Sequence, residues 1–184
     1  LGHTARIYVP EMAGPAKINL IRSTDADLQV VPGAYANALE MAQAYEQETG
    51  AMQVHAYDAP ETVCGQGTCF AEWQDQGLMA DTILIAVGGG GLIAGAMAWF
   101  GKAKKIVAIE PETSRALNAA LQNGAPVDVD VSGVAANALG AKRIGSICFE
   151  LAQTQKIKSL KFFAQLCQLH ILPWKKSIGK VLHN

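Results

Sequence analysis

The chain has 184 residues, of which half are hydrophobic and 17% are charged, and its formal net charge is −1. Such a chain is long enough and apolar enough to bury a sizeable core, which excludes an intrinsically disordered protein. No charge-free apolar run is long enough for a convincing membrane span, and no basic stretch followed by an apolar one opens the sequence, so neither a membrane partner nor a secretory signal is predicted.

Strand-like and helix-like runs alternate through the first third of the chain. Short runs rich in Val, Ile or Tyr predict strands, and longer runs with apolar residues at helical spacing predict helices. In chain order, these elements are a strand over Ala5–Pro10, a helix over Gly14–Asp25, a strand over Leu28–Gly33, a helix over Ala34–Gly50 and a strand over Met52–Tyr57.

The same alternation continues to about residue 124 and predicts an α/β fold, a parallel, doubly wound three-layer sheet of βαβ units. The runs TILIAV and IVAI are apolar without alternation, so both faces of those strands are expected to be covered. The elements are a loop with a helix over Ala59–Gly77, a strand over Asp81–Val87, a helix over Leu92–Phe100, a strand over Lys105–Pro111 and a helix over Thr113–Gly124.

Four consecutive glycines, Gly88–Gly91, stand between a predicted strand and a predicted helix. The loop after a parallel strand lies at the carboxyl edge of the sheet, where ligands bind, and the start of a helix offers unpaired N–H groups to an anion. Glycine permits close approach and positive φ. Because no lysine follows as in a P-loop, a single terminal phosphate, as on pyridoxal phosphate, is predicted rather than a triphosphate. A tight turn without a ligand is the alternative.

The glycine segment and its neighbours resemble a family of pyridoxal-phosphate enzymes. The stretches IYVPEMAGPAKINLIRSTDADLQVVPGAYANAL, VHAYDAPETVCGQGTCFAE, AVGGGGLIAGAMAWF, IVAIEPETSRAL and GVAANALGAKRIG occur in the order and spacing of that family, over about residues 1–153. The family is the tryptophan-synthase-β type, also called fold type II, and in particular the threonine/serine dehydratases. The resemblance implies that residues 1–57 are part of the family's small domain, and that residues 58–153 are part of its large cofactor-binding domain.

The resemblance also implies a cofactor site and a reaction. The cofactor phosphate is expected on the backbone of a set of five residues, namely Gly88, Gly89, Gly90, Gly91 and Leu92. Family members deaminate a hydroxy-amino acid, and a lysine holds pyridoxal phosphate as a Schiff base and removes the α-proton. That lysine lies in a segment that precedes the matched stretches. Since no lysine here falls in a matching motif, no catalytic residue is predicted.

Other reactive side chains give weaker signals. Some relatives bind a divalent cation through the glutamate that corresponds to Glu110, but Ala116 stands where an aspartate would be needed, so no metal site is predicted. His55 and Asp58 are interpreted as ordinary edge residues rather than an acid–base pair. The four cysteines form no CxxC pair, which favours reduced thiols in a cytoplasmic protein.

The charge is unevenly distributed along the chain. Residues 151–184 contain six lysines and no acidic residue, whereas all sixteen acidic residues precede them. We therefore interpret residues 154–184 as a basic tail outside the family pattern. The tail is expected to form a helix that covers exposed core, and a tail that binds membranes or nucleic acid is the alternative.

Three functions are compatible with these residues. The first is a truncated threonine/serine dehydratase-like protein that is not catalytic alone and binds pyridoxal phosphate, or another small phosphate, weakly through the glycine loop. The second is an active ammonia-lyase that a missing segment or a second chain completes. The third is a non-enzymatic module that forms a homo-oligomer to cover exposed sheet edges. No nucleic-acid or membrane partner is expected.

Overall fold

The computed structural model describes residues 2–33 and 35–162, which form two compact units that divide between Val54 and His55. The first unit contains a parallel pair of strands and two helices. After a short 3-10 turn, its first helix begins at Pro15. At this position the N–H group that proline lacks would have no partner within the helix. Its elements are β1 (Arg6–Pro10), α1 (Pro15–Arg22), β2 (Asp27–Val31) and α2 (Tyr35–Thr49).

A small core and one charged cluster stabilise the first unit. Its buried apolar side chains come from both strands and both helices, and they are Val9, Ile18, Val31 and Ala38. The guanidinium of Arg6 bonds the Asp27 carboxylate at 2.6 Å and lies 4.2 Å from the centroid of the Tyr45 ring. Arg6 therefore joins the two strands to α2 by an ion pair and a cation–π contact.

The second unit is built on three parallel strands in the order β3-β4-β5. Helices follow or precede each strand, as the alternation in the sequence predicts, so the predicted α/β class with parallel sheets is confirmed. The elements are α3 (Pro60–Asp75), β3 (Thr82–Ala86), α4 (Gly91–Phe100), β4 (Lys105–Pro111), α5 (Ala116–Asn123), α6 (Ala136–Leu139), α7 (Ser146–Gln155) and β5 (Lys158–Phe162).

Helix α4 is the centre of the core of this unit. Its sequence GLIAGAMAWF is apolar on all sides, which is typical of a helix enclosed by other elements. Ile93, Ala94 and Ala96 have no exposed surface. Side chains from α3, α5, α7 and one face of the sheet complete a single apolar cluster around it. None of the helices in the described part of the chain is long and apolar enough to cross a membrane.

The opposite face of the three-stranded sheet is open in part. Leu84 is 65% exposed and Leu160 is 52% exposed, whereas Ile83 and Ile85, on either side of Leu84 in β3, are buried in the core cluster. The apolar run in β3 predicted cover on both faces, and for Leu84 this expectation is wrong. An unbroken apolar strand indicates which residues could be buried, but not that a covering element exists in the same chain.

Two further expectations need correction. Residues 52–57 form no strand, because the Nδ1 atom of His55 accepts the backbone N–H groups of Tyr57 and Asp58 and holds the chain in a turn. Residues 158–162, predicted as part of a helical tail, form β5, which pairs in parallel with β4. The remainder of that predicted tail, residues 163–184, lies outside the described residues.

Candidate functional site

The glycine loop, Gly88–Gly91, connects the carboxyl end of β3 to the first turn of α4. Gly90 is the N-cap residue of α4 and has φ 96°, a left-handed conformation that favours glycine. No side chain caps α4, and its first turn contains no acidic residue. Helix α4 therefore supplies no anion of its own to the positive end of its dipole.

The backbone donors of the loop have no acceptor in the described part of the chain. None of the N–H groups from Gly88 to Ile93 donates to another described residue, although Gly90 and Gly91 are buried. Buried backbone donors are almost always paired with protein, ordered water or a ligand. The loop thus presents a row of N–H groups that suits an anion.

Tight packing explains why the loop contains no side chains. A Cβ atom at Gly89 would overlap the ring of Tyr57, and one at Gly90 would lie 2.6 Å from the Sγ atom of Cys148. At Gly88 the nearest atom is the Cα of Leu139, at 3.1 Å. Glycine is therefore required here for the fold itself, and the row of free donors is a separate observation.

A turn over residues 55–58 forms one wall beside the loop. The Nδ1 atom of His55 accepts the N–H groups of Tyr57 at 3.2 Å and Asp58 at 2.9 Å. The His55 and Tyr57 rings meet edge to face, with centroids 5.0 Å apart. These contacts fix the Tyr57 ring against Gly89.

The Asp58 carboxylate caps helix α7 from a distant part of the chain. Its oxygens accept the backbone N–H and the hydroxyl of Ser146, both at 2.9 Å, and the N–H of Ile147 at 3.1 Å. Burial alone would raise the pKa of Asp58, but these donors and nearby His55 outweigh it and leave the pKa lowered. The backbone N–H of Gly145 in turn donates to the Gly89 carbonyl at 3.0 Å. Asp58 therefore fixes the segment that holds the glycine loop.

Replacement of Asp58 by Ala is expected to lower the free energy of unfolding by about 1 kcal/mol, since a helix loses its cap. Because the folded pKa of Asp58 is depressed, its contribution to stability is present above the unfolded pKa of about 3.9 and is lost as the pH falls through the folded value. Urea denaturation of both proteins between neutral and acid pH checks this. If the parent and Asp58→Ala differed in free energy of unfolding by the same amount at every pH, Asp58 would not be the group that titrates.

Cys148 lies under the loop as a packing residue. Its side chain is buried, and burial together with the nearby carboxylates of Glu110 and Asp58 raises its pKa to about 12. A thiol of this kind is neutral at physiological pH and is a poor nucleophile. It therefore contributes volume, not chemistry, to the site.

Glu110 belongs to a structural contact. Its carboxylate is fully buried at the end of β4 and accepts the N–H groups of Leu117 and Asn118, each at 2.8 Å, and the hydroxyl of Ser159. The carboxylate caps α5, and both of its oxygens already accept hydrogen bonds from the protein. The described residues contain no group of three or more His, Cys, Asp and Glu side chains placed to share a metal ion.

The GQGT motif, Gly65–Thr68, brings two helices together. A Cβ atom at Gly67 would lie 3.5 Å from the carbonyl oxygen of Gly95, so the backbones of α3 and α4 are in close contact there. This contact places α4, which begins at the last residue of the glycine loop, against α3. In this chain the motif therefore acts through packing.

The atoms that lie nearest to the Cβ positions of Gly88, Gly89 and Gly90 belong to residues such as Tyr57 and Cys148, and none belongs to a lysine. Two surface depressions, of about 380 and 240 Å³, are lined by other residues, so the loop lies in neither. Sequence reasoning singled out the loop but not the residues that pack it. Tyr57 and Leu139 carry no sequence signal of that role.

The parallel sheet and the loop at its carboxyl end define an α/β protein with a candidate anion-binding turn. A family model described as pyridoxal-phosphate dependent enzyme matches residues 1–161. The chain therefore belongs to this family, and the match includes residues 154–161, which the sequence analysis had placed outside it.

Curated relatives include dehydratases and ammonia-lyases. The biosynthetic L-threonine dehydratase of Escherichia coli (strain K12) is 33% identical over 156 residues, which are 83% of this chain and 30% of that protein. The phenylserine dehydratase of Ralstonia pickettii is 28% identical over 83% of this chain and 48% of its own length. The chain thus spans 30% to 48% of the length of these two relatives, and its predicted resemblance to threonine dehydratases is confirmed.

Solved structures agree on the fold. The processed form of threonine deaminase isoform 2 from Solanum lycopersicum matches with a TM-score of 0.76 and 24% identity over 87% of this chain and 48% of its own. Maize serine racemase matches with a TM-score of 0.78 and 21% identity over 88% of this chain and 51% of its own. These likenesses confirm the fold type II architecture.

Proposed function

We propose that this chain holds the phosphate of pyridoxal phosphate on the backbone of Gly88–Leu92 and is not catalytic by itself. The observation that carries the proposal is the row of N–H groups that begins at Gly88 and has no acceptor among the described residues, at the uncapped start of α4. A phosphate would satisfy several of these donors and the positive end of the helix together. Membership of a pyridoxal-phosphate family supports this choice of cofactor.

Each part of the site has its own task in this proposal. The donors of the loop bind and orient the phosphate, while Tyr57 and the segment held by Asp58 keep the loop from rearranging. When bound, pyridoxal phosphate supplies an electron sink for reactions at the α-carbon of an amino acid. In a completed enzyme the substrate would be a hydroxy-amino acid of the threonine or serine type.

The positions of the described lysines support a chain that is not catalytic by itself. Five of those in the second unit lie at the amino edge of the sheet, opposite the glycine loop, and Lys161 lies 4.0 Å from the carboxylate of Glu112. Among the described residues, none of the side chains that lie nearest to the loop glycines is a lysine. Without a covalent lysine bond, phosphate contacts alone give weak binding.

Replacement of Leu92 by Pro is expected to weaken the binding of pyridoxamine phosphate by about tenfold or more, because it deletes one donor to a charged group. Pyridoxamine phosphate lacks the aldehyde that would condense with surface lysines. Proline is tolerated in the first turn of a helix, and the Leu92 side chain is 40% exposed, so the fold should persist. Isothermal titration calorimetry measures the effect.

Leu92→Ala is the matched control, since it removes the same side chain but keeps the N–H group. Equal affinity of the Ala and Pro variants, with circular dichroism showing both folded, would rule out the proposed role of this donor. Pyridoxamine, without phosphate, should bind neither variant nor the parent chain.

The partly open sheet face favours a second candidate function, a module that associates with another copy of itself. Leu84 and Leu160 are exposed on that face, beside the exposed methyl of Ala86. Burial of these side chains in a dimer would remove apolar surface from water. Sedimentation velocity at two concentrations is expected to show a dimer that Leu84→Glu disrupts, and a concentration-independent monomer would exclude this function.

A further inference from the structure

Five lysines gather at the amino edge of the three-stranded sheet, at the end opposite the glycine loop. Two neighbouring connections supply them, the one from α4 to β4 and the one from α7 to β5. They line a depression of about 240 Å³ and form what we call the lysine cluster: Lys102, Lys104, Lys105, Lys156 and Lys158.

The cluster forms no ion pair with the described residues. No acidic residue lines the depression, and none of the five ammonium groups forms an ion pair within the described part of the chain. Lys161, which lies further along β5, does have an acidic neighbour in Glu112. Concentration of like charge without counter-charge works against the compact state.

Helix dipoles account for only part of this charge. The carboxyl ends of α4 and α7 both reach the depression, at Gly101 and Gln155. Two helix ends together contribute about one negative charge, against five positive ones. Even with Asp81, which precedes β3 at the same edge and accepts the Lys105 N–H through its carbonyl, the described residues leave an excess of positive charge there for a ligand.

Lys156 adds an independent observation. It is the C-cap of α7 and the one described residue other than glycine with a positive φ, at 54°. Helix α4 ends beside it with glycine at the equivalent position, where Gly101 has φ 51°. A side chain in this conformation is strained relative to glycine, and such strain is concentrated at functional sites.

We propose that the lysine cluster binds a compact anion with several phosphate groups, such as a tripolyphosphate or the triphosphate of a nucleotide. Lysine ammonium groups act as separate point charges and suit several phosphates better than one planar group. No aromatic side chain lines the depression, so stacking of nucleic-acid bases is not provided for. The site is separate from the glycine loop.

Inorganic tripolyphosphate is the probe, and calorimetry with the full chain is the measurement. Replacement of both Lys102 and Lys104 by Ala is expected to weaken binding by about tenfold, and high salt should abolish it. Lys142→Ala, which changes an exposed lysine outside the cluster, is the control and should bind as the parent does. Absent binding by the parent at low salt, or an equal loss in the control, would overturn the proposal.

Lys156→Gly distinguishes a binding role from a structural role, because it should change stability and tripolyphosphate binding in opposite directions. It should raise the melting temperature by about 2–4 °C by relieving the backbone strain, yet weaken tripolyphosphate binding about threefold. A variant that is more stable and binds as well as the parent would show that Lys156 takes no part in the site. Loss of tripolyphosphate binding in Leu92→Pro would show that the anion sits on the glycine loop instead, which also overturns the proposal.

Discussion

Gly95→Ala is expected to lower the free energy of unfolding by about 2–3 kcal/mol. Its Cβ would lie 2.6 Å from the backbone nitrogen of Gly67 and 2.7 Å from the carbonyl carbon of Gln66, so the two helices must separate. Backbone atoms cannot move aside as a flexible side chain can, and overpacking of a core usually costs this much. Urea denaturation gives the number directly.

A second helical glycine provides the control. Gly65 lies two residues before Gly67 on the same helix, and a Cβ there meets nothing within 4 Å. Gly65→Ala should therefore raise the free energy of unfolding by about 0.5–1 kcal/mol, through helix propensity alone. Changes of the same sign at both positions would contradict the close crossing of α3 and α4.

Glu110→Gln is expected to lower the free energy of unfolding by about 2–3 kcal/mol. The amide keeps one acceptor oxygen, but its nitrogen cannot accept the N–H that now reaches the second carboxylate oxygen. A buried donor left without an acceptor carries a penalty of this size. Glu112→Gln, on an exposed side chain 4.0 Å from Lys161, should change the same quantity by less than about 0.5 kcal/mol.

The pH dependence gives a separate check on Glu110. Burial raises its pKa, and its three hydrogen-bond donors offset this only in part. Between the two pKa values the folded state therefore keeps a proton that the unfolded state has lost. The free energy of unfolding declines as the pH rises from the pKa of the unfolded state, about 4.3, to the raised pKa of the folded state. In Glu110→Gln this decline should be absent. Identical pH profiles for the two proteins would contradict it.

Much of the fold follows from local patterns in the sequence. The strands β3 and β4 and the helix between them are readable because an apolar run, a glycine cluster and a second apolar run have different lengths and periods. The sequence predicted that this helix ends at Gly124, and Gly124 is the C-cap of α5, with φ 74°. Such signals depend only on residues close together in the chain.

The parts that were missed depend on side-chain acceptors or on contacts between distant residues. The run over residues 52–57 alternates like a strand, but a His55 side-chain acceptor captures its neighbours' N–H groups. β5 contains Lys158 and Lys161 at helical spacing and was predicted as part of a helical tail, yet pairing with β4 makes it a strand. The Asp58 cap on Ser146 links residues 88 positions apart, and no local pattern reports such a bond.

The central claim is that the backbone donors of the glycine loop bind the phosphate of the cofactor. Two-dimensional amide NMR of the chain, titrated with pyridoxamine phosphate, tests this most directly. The claim predicts that the largest shifts fall on the amides of Gly88–Leu92 and that inorganic phosphate reproduces part of them. Unshifted loop amides at saturating ligand, or shifts confined to the lysine cluster, would contradict it and leave the four glycines as a turn required by packing alone.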